Sequence, residues 1–191
     1  MENKYLVALG SSAGGLSALS EFFDNTVPDA VSYVITTHLY PHQKSTLTEI
    51  IQRHSSLQVC EVENNMQVLP NTIYVMPENK VMSISNGHLL LMDRDLSIKI
   101  NLAIDIFFNS LAKDILFQKV AVILSGMGED GTKGVKQISD AGGYVIAQTP
   151  GSAAEESMPT SVIISGFADE ILSPKQMPQA IINYVAHNSQ K

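Results

Sequence analysis

Apolar positions in this chain alternate between two styles, short unbroken runs and longer stretches with a three-and-four spacing. Residues 5–9 (YLVAL) form the first run and end at Gly10; so short and unbroken a run predicts a buried strand. After Gly15, Leu16, Leu19, Phe22 and Phe23 return at helical intervals, so a helix is predicted there. Residues 31–36 (VSYVIT) predict the second strand. Thr46 and Glu49 stand ahead of Ile50 and Ile51 in the spacing of a capping box, which places the start of a second helix. Residues 57–62 and 72–76 read as shorter strands. Residues 81–85 and 88–92 flank Asn86-Gly87, a dipeptide suited to a type I′ hairpin turn. Ile104, Phe107, Phe108 and Leu111 mark a third helix.

The second half repeats the alternation. Residues 120–124 are wholly apolar and run into Ser125-Gly126, while Val135 and Ile138 predict a helix after Gly131. Residues 144–147 read as a strand, Pro159 as the first residue of a short helix, and residues 170–172 as the last strand. A final helix carrying Ala180, Ile181 and Val185 follows Ser173-Pro174. Strands alternating with amphipathic helices predict a single three-layer α/β/α domain over residues 1–191, with a doubly wound, mostly parallel sheet. The Asn-Gly hairpin adds a small antiparallel piece. No linker, repeat or low-complexity tract divides the chain.

Composition narrows the function. At 191 residues the chain can bury a sizeable core without staples. Lys and Arg number 12 against 19 Asp and Glu, for a net charge of −7. That balance argues against nucleic acid and against anionic membrane surfaces as partners. Cys60 is the one cysteine, so no intrachain disulfide can form and a reducing compartment suits the chain. The first apolar run is too short for a signal peptide or a membrane span, so a cytoplasmic protein is expected.

Chemistry concentrates in three loops that follow predicted strands, where parallel sheets gather functional groups. In Gly10-Ser11-Ser12-Ala13-Gly14-Gly15, Ser12 lies at the centre of a G-x-S-x-G nucleophile elbow. Ser11 has Leu9 and Ala13 at the corresponding positions and fits less well. A phosphate-binding turn is the alternative reading of this loop. In Thr36-Thr37-His38-Leu39-Tyr40-Pro41, His38 is placed to take a proton from a serine on a neighbouring strand's loop. A surface histidine without a role, as expected for most of His42, His54, His88 and His187, is the bland alternative. In Ser125-Gly126-Met127-Gly128-Glu129-Asp130-Gly131-Thr132, Asp130 can orient His38, or can simply be a turn or cap residue. Together the three loops favour a hydrolase. The order Ser…His…Asp differs from the Ser…Asp/Glu…His of ordinary α/β-hydrolases. No metal is expected, since only Cys60 is available and no Cys or His pair has useful helix spacing, and the hydrolase reading needs no cofactor.

The same loops resemble the catalytic domain of the chemotaxis receptor methylesterase family, CheB. Gly10-Ser11-Ser12-Ala13-Gly14-Gly15 is similar to that family's G-[AS]-S-[TA]-G-G, and Thr37-His38-Leu39 to its Q-H-M. Ser125-Gly126-Met127-Gly128-Glu129-Asp130-Gly131 is similar to its [ST]-G-[MT]-G-x-D-G. Ala141-Gly142-Gly143, Ala147-Gln148 and Met158-Pro159 match further pieces, so the likeness spans roughly residues 5 to 185. Departures are Ala13 after the serine, and Thr37 and Tyr40 around the histidine.

The resemblance implies Ser12 as nucleophile, His38 as general base and Asp130 as its orienting partner. It also implies a tetrahedral oxyanion held by backbone N–H groups near Ala13 and Met127. The implied reaction is hydrolysis of γ-glutamyl methyl esters on the cytoplasmic helices of chemoreceptors, with glutamine deamidation by the same route. No receiver domain is expected before the first strand or after the last helix, so activity is expected without a phosphoryl donor. The segment from Gly15 to Phe23 looks like CheB domains fused to a receptor methyltransferase, which makes a fused or associated methyltransferase an implied partner. The competing readings are a non-catalytic phosphate- or nucleotide-binding module and a CheB-like hydrolase acting on another signalling protein.

Overall fold

The structure, a computed structural model, describes residues 4–38 and 46–189. Its main sheet has seven strands in the order β10-β9-β8-β1-β2-β5-β3. These are β1 (Lys4–Ser11), β2 (Ser32–Thr37), β3 (Gln58–Glu61), β5 (Thr72–Val75), β8 (Phe117–Ile123), β9 (Tyr144–Gln148) and β10 (Glu170–Leu172). Every pairing in this sheet is parallel. The unbroken apolar runs foretold this, because a strand covered on both faces has no polar side to display.

Alternate side chains of β1 feed two separate cores. Tyr5, Val7 and Leu9 pack with α1 (Gly15–Asp24), α2 (Leu47–His54) and α6 (Met177–Asn188). Leu6 and Ala8 pack with α3 (Ala103–Lys113), α4 (Thr132–Asp140) and α5 (Ser157–Ser165) on the other face. Ile104, Phe107, Phe108 and Leu111 of α3 are all fully buried, as their spacing predicts. Each such side chain contributes about 1.5–3 kcal/mol relative to exposure.

The antiparallel piece is larger than a hairpin. β6 (Lys80–Ser85) and β7 (His88–Asp93) turn at Asn86 and Gly87, whose φ values of 49° and 74° are those of a type I′ turn. β4 (Met66–Gln67) joins β7 to make a separate three-stranded sheet, which packs on the α3 face. Two residues are too few to show a period, so β4 leaves no trace in the sequence pattern. Two other expectations are corrected. α2 begins after Thr46, but no side-chain cap forms, because Thr46 (φ −85°, ψ 7°) lacks the extended backbone a capping residue needs. α5 begins at Ser157, so Pro159 is its third residue and not its first. Among the described residues, no helix is long and apolar enough to cross a membrane.

Candidate active site

The strand order reverses direction between β1 and β8, and the crevice at such a switch point is where parallel sheets carry their sites. β1 has β2 on one side and β8 on the other. The register between β1 and β2 ends at Ser11↔Thr37, so Ser12 and His38 follow at the next position on adjacent strands. A ladder bond from the His38 N–H to the Ser11 carbonyl (3.4 Å) continues that register. The loop after β8 brings Asp130 in from the other side of β1. His38 Nε2 and Asp130 Oδ2 stand 2.6 Å apart. A histidine from β2 thus meets an aspartate from beyond β8 across the end of β1, where Ser12 sits.

The first loop assigns its glycines different tasks. Gly10 lies inside β1, and a Cβ there would stand 2.6 Å from Ile104 Cγ2, so its role is to admit the start of α3. Gly14 makes the turn, with φ 73°. Ser12 itself keeps an ordinary negative φ, unlike a strained elbow residue. Ser11 is fully buried, and its hydroxyl has no hydrogen-bond partner. Ser12 is half-buried, and its Oγ forms no hydrogen bond with another described residue. Its loop is held from β8: the Ser12 N–H donates to the Ser125 carbonyl (3.0 Å). Ser125 Oγ donates to the Ala13 carbonyl (2.8 Å) and accepts from the Glu155 N–H (3.0 Å). Buried Gln148 accepts the Ser125 N–H (2.8 Å). The N–H groups of Ala13 and Met127 form no hydrogen bond with another described residue. Met127 is exposed, at 61%.

Asp130 is 4% exposed and His38 18%. The carboxylate is held at the N-terminus of α3, where Ile104 N–H donates to Oδ2 (3.0 Å) and Asp105 N–H to Oδ1 (2.9 Å). These are two of the donors a helix start leaves unsatisfied, and the helix dipole there favours negative charge. Asp105, which the sequence reading passed over, accepts the N–H groups of Gly131 (3.0 Å) and Gly134 (2.7 Å) through Oδ1. Burial pushes the Asp105 carboxyl above the usual range, and the neighbouring Asp130 charge adds to this. An aspartate in the first turn of a helix is ordinary dipole compensation, so nothing in the sequence pattern singles it out. Tyr40 and Leu39, named with the second loop, lie outside the described residues, as does His42. Among the described residues, no three or more His, Cys, Asp or Glu side chains are grouped to hold a metal ion.

Comparison with known proteins decides the family. The family model "CheB methylesterase" matches residues 7–181. The chain belongs to that family.

The CheB methylesterase catalytic domain of Thermotoga maritima superimposes with a TM-score of 0.84 at 30% identity, covering 95% of this chain and 99% of that one. A protein-glutamate methylesterase/protein-glutamine glutaminase of Bacillus licheniformis is 33% identical over 188 residues, 95% of this chain and 53% of its own length. An uncharacterized 104.1 kDa protein of Rhodobacter capsulatus is 36% identical over 139 residues, 73% of this chain and 14% of its own length. The chain therefore spans about half the length of such a methylesterase relative. The three-layer fold expected from the alternating pattern is that of the CheB catalytic domain.

Proposed function

We propose that this CheB-family chain is a protein-glutamate methylesterase that works through a Ser12–His38–Asp130 triad. The observation that carries the reading is the 2.6 Å His38–Asp130 contact spanning the end of β1 beside Ser12. His38 donates Nε2–H to Asp130, so Nδ1 is the basic nitrogen that takes the Ser12 hydroxyl proton. Ser12 Oγ then bonds to the ester carbonyl carbon, and the carbonyl oxygen takes the negative charge. The N–H groups of Ala13 and Met127, which bond to nothing else described, would hold that oxyanion; one such donor is worth about 3 kcal/mol. Collapse breaks the carbon–methoxy bond, and the Nδ1 proton leaves with methanol. Water, deprotonated by His38, splits the acyl-enzyme to free glutamate and Ser12. A glutamine side chain would follow the same path and release ammonia.

The substrate in this reading is the methylated cytoplasmic helix of a chemoreceptor, with a fused or associated methyltransferase as a further partner. Leu16 and Met127, exposed apolar residues next to the serine loop, offer such a helix a contact surface. A cytoplasmic location accords with the unpaired Cys60. The test is methanol release from a methylated receptor cytoplasmic fragment. Release by the wild-type chain and none by Ser12→Ala is expected; no release by folded wild-type protein would refute the reading.

A further inference from the structure

Asp130 and Asp105 stand on different sides of a mutual exchange. Asp130, in the loop that enters α4, satisfies two N–H groups at the start of α3. Asp105, in the first turn of α3, satisfies Gly131 and Gly134 at the start of α4. Gly131 is the residue directly after Asp130, so the Asp105 carboxylate grips the peptide that carries the Asp130 side chain. Three observations make this grip specific. Gly131 has φ 96°, a backbone state open to glycine and strained for other residues, so the turn directly after Asp130 is built on this residue. A Cβ on Gly134 would stand 2.6 Å from Phe108 Cβ and 3.3 Å from Asp105 Cα, so α3 and α4 touch there with no slack. Finally, neither helix start has a cap from its own N-cap side chain.

Resting on the triad reading, we infer that Asp105 is a positioning residue for catalysis: it fixes Asp130, and through Asp130 the His38 ring, by accepting the Gly131 and Gly134 N–H groups. The active constellation then spans four residues, with Asp105 touching neither substrate nor histidine. Its acceptor capacity matters here, and its charge does not. Both backbone donors converge on the single oxygen Oδ1, and an asparagine keeps such an oxygen.

The experiment compares Asp105→Ala and Asp105→Asn with wild type, well below each melting temperature, in steady-state turnover on a methylated receptor fragment. Asp105→Ala should lose about tenfold to a hundredfold in kcat, the cost of a misplaced catalytic group, with KM within twofold. Asp105→Asn should recover most of that loss. A second readout needs no activity. The His38 Nε2–H proton, bound to Asp130, should give a downfield ¹H resonance in wild type and Asp105→Asn that is shifted or lost in Asp105→Ala. If Asp105→Ala proves insoluble, Asp105→Ser, whose shorter side chain reaches Gly134 less well, replaces it with the same expectations. Unchanged kcat and resonance with only a lower melting temperature would reduce Asp105 to a helix cap and overturn the inference. Equal losses in the alanine and asparagine variants would overturn it too, because charge would then be the cause. An inactive wild type with the resonance pattern intact would count against the esterase reading and leave the positioning role standing.

Discussion

His38 meets Asp130 through Nε2, at 2.6 Å, and this leaves Nδ1 as the ring nitrogen able to accept the serine proton. In the proposed triad the working tautomer therefore carries its proton on Nε2, with Asp130 accepting that proton's hydrogen bond. The same carboxylate also receives the Ile104 and Asp105 N–H groups, which fix its orientation toward the His38 ring.

Replacing Asp130 by asparagine should therefore separate catalysis from folding. Asparagine has one acceptor oxygen where the carboxylate has two, and its amide nitrogen only donates, so the groups on one side of Asp130 lose their acceptor. The expected outcome is a folded protein, less stable by about 1 kcal/mol from the weakened cap, with turnover down about 10⁴-fold. Steady-state kinetics and a melting curve on the same sample check both halves. Turnover near wild type would show that Asp130 serves α3 alone.

Ser11 and Ser12 are neighbours with opposite prospects. Ser11 ends β1 with its hydroxyl buried and unpartnered, a situation that costs about 1–3 kcal/mol. Ser11→Ala is expected to keep most of the activity and to melt at the same temperature or higher. Ser12→Ala should melt like wild type and lose measurable esterase activity. Equal loss in both variants, with folding intact, would move the nucleophile away from Ser12.

Gly126 lies under the site. A Cβ there would stand 2.1 Å from Met158 Sδ and 3.0 Å from Ser12 Cβ. Gly126→Ala should lower turnover at least tenfold by pushing Met158 and the Ser12 loop apart. Adding Met158→Ala makes room for the new methyl group and should restore part of that loss at some cost in stability. No recovery of turnover in the double variant would show that the contact with Ser12, and not that with Met158, does the damage.

A pH effect on stability should come from Asp29, remote from Ser12 at the far end of β2. Burial pushes its carboxyl above the usual range, outweighing the hydrogen bonds from the Tyr33 hydroxyl and the Val31 N–H, which act the other way. A folded-state pKa raised above the unfolded value means that the proton is held more tightly in the folded protein. That stabilisation is complete below the unfolded value of 3.8 and is lost as pH rises through the folded one. Asp29→Asn can keep both contacts, accepting from Val31 (3.0 Å) and donating to the Tyr33 oxygen (2.8 Å). Its melting temperature relative to wild type should therefore climb between pH 3.5 and 7, with turnover unaffected. A relative melting temperature that falls over this range would contradict the assignment.

The elements easiest to read from the sequence were those whose environment is uniform along their length. β1, β2 and β9 are buried on both faces, so their apolar runs announced them to within two residues, while β8 starts three residues ahead of its apolar run, at Phe117, because Gln118 is exposed and Lys119 half-buried. The placement of the candidate residues Ser12, His38 and Asp130 was legible because each stands in a glycine-bearing or strand-end loop whose position follows from those runs. What escaped notice depends on partners distant in sequence. Asp105 has its acceptor role only because Gly131 and Gly134 pack against it from another helix. The first glycine of the elbow looked like a turn residue, whereas its task is to admit Ile104. Local chemistry also misled at Thr46, while the capping box that does form, at Ser173 and Gln176, went unread beside Pro174.

The central claim is that Ser12 becomes covalently acylated, and the most direct test is to trap it. The chain would be treated with a serine-reactive fluorophosphonate and analysed by intact mass and peptide mapping. One adduct is predicted, on the peptide containing Ser12, absent from Ser12→Ala and forming far more slowly in Asp130→Asn. An adduct on another serine, or methanol release by an enzyme that Ser12→Ala leaves fully active, would contradict the account.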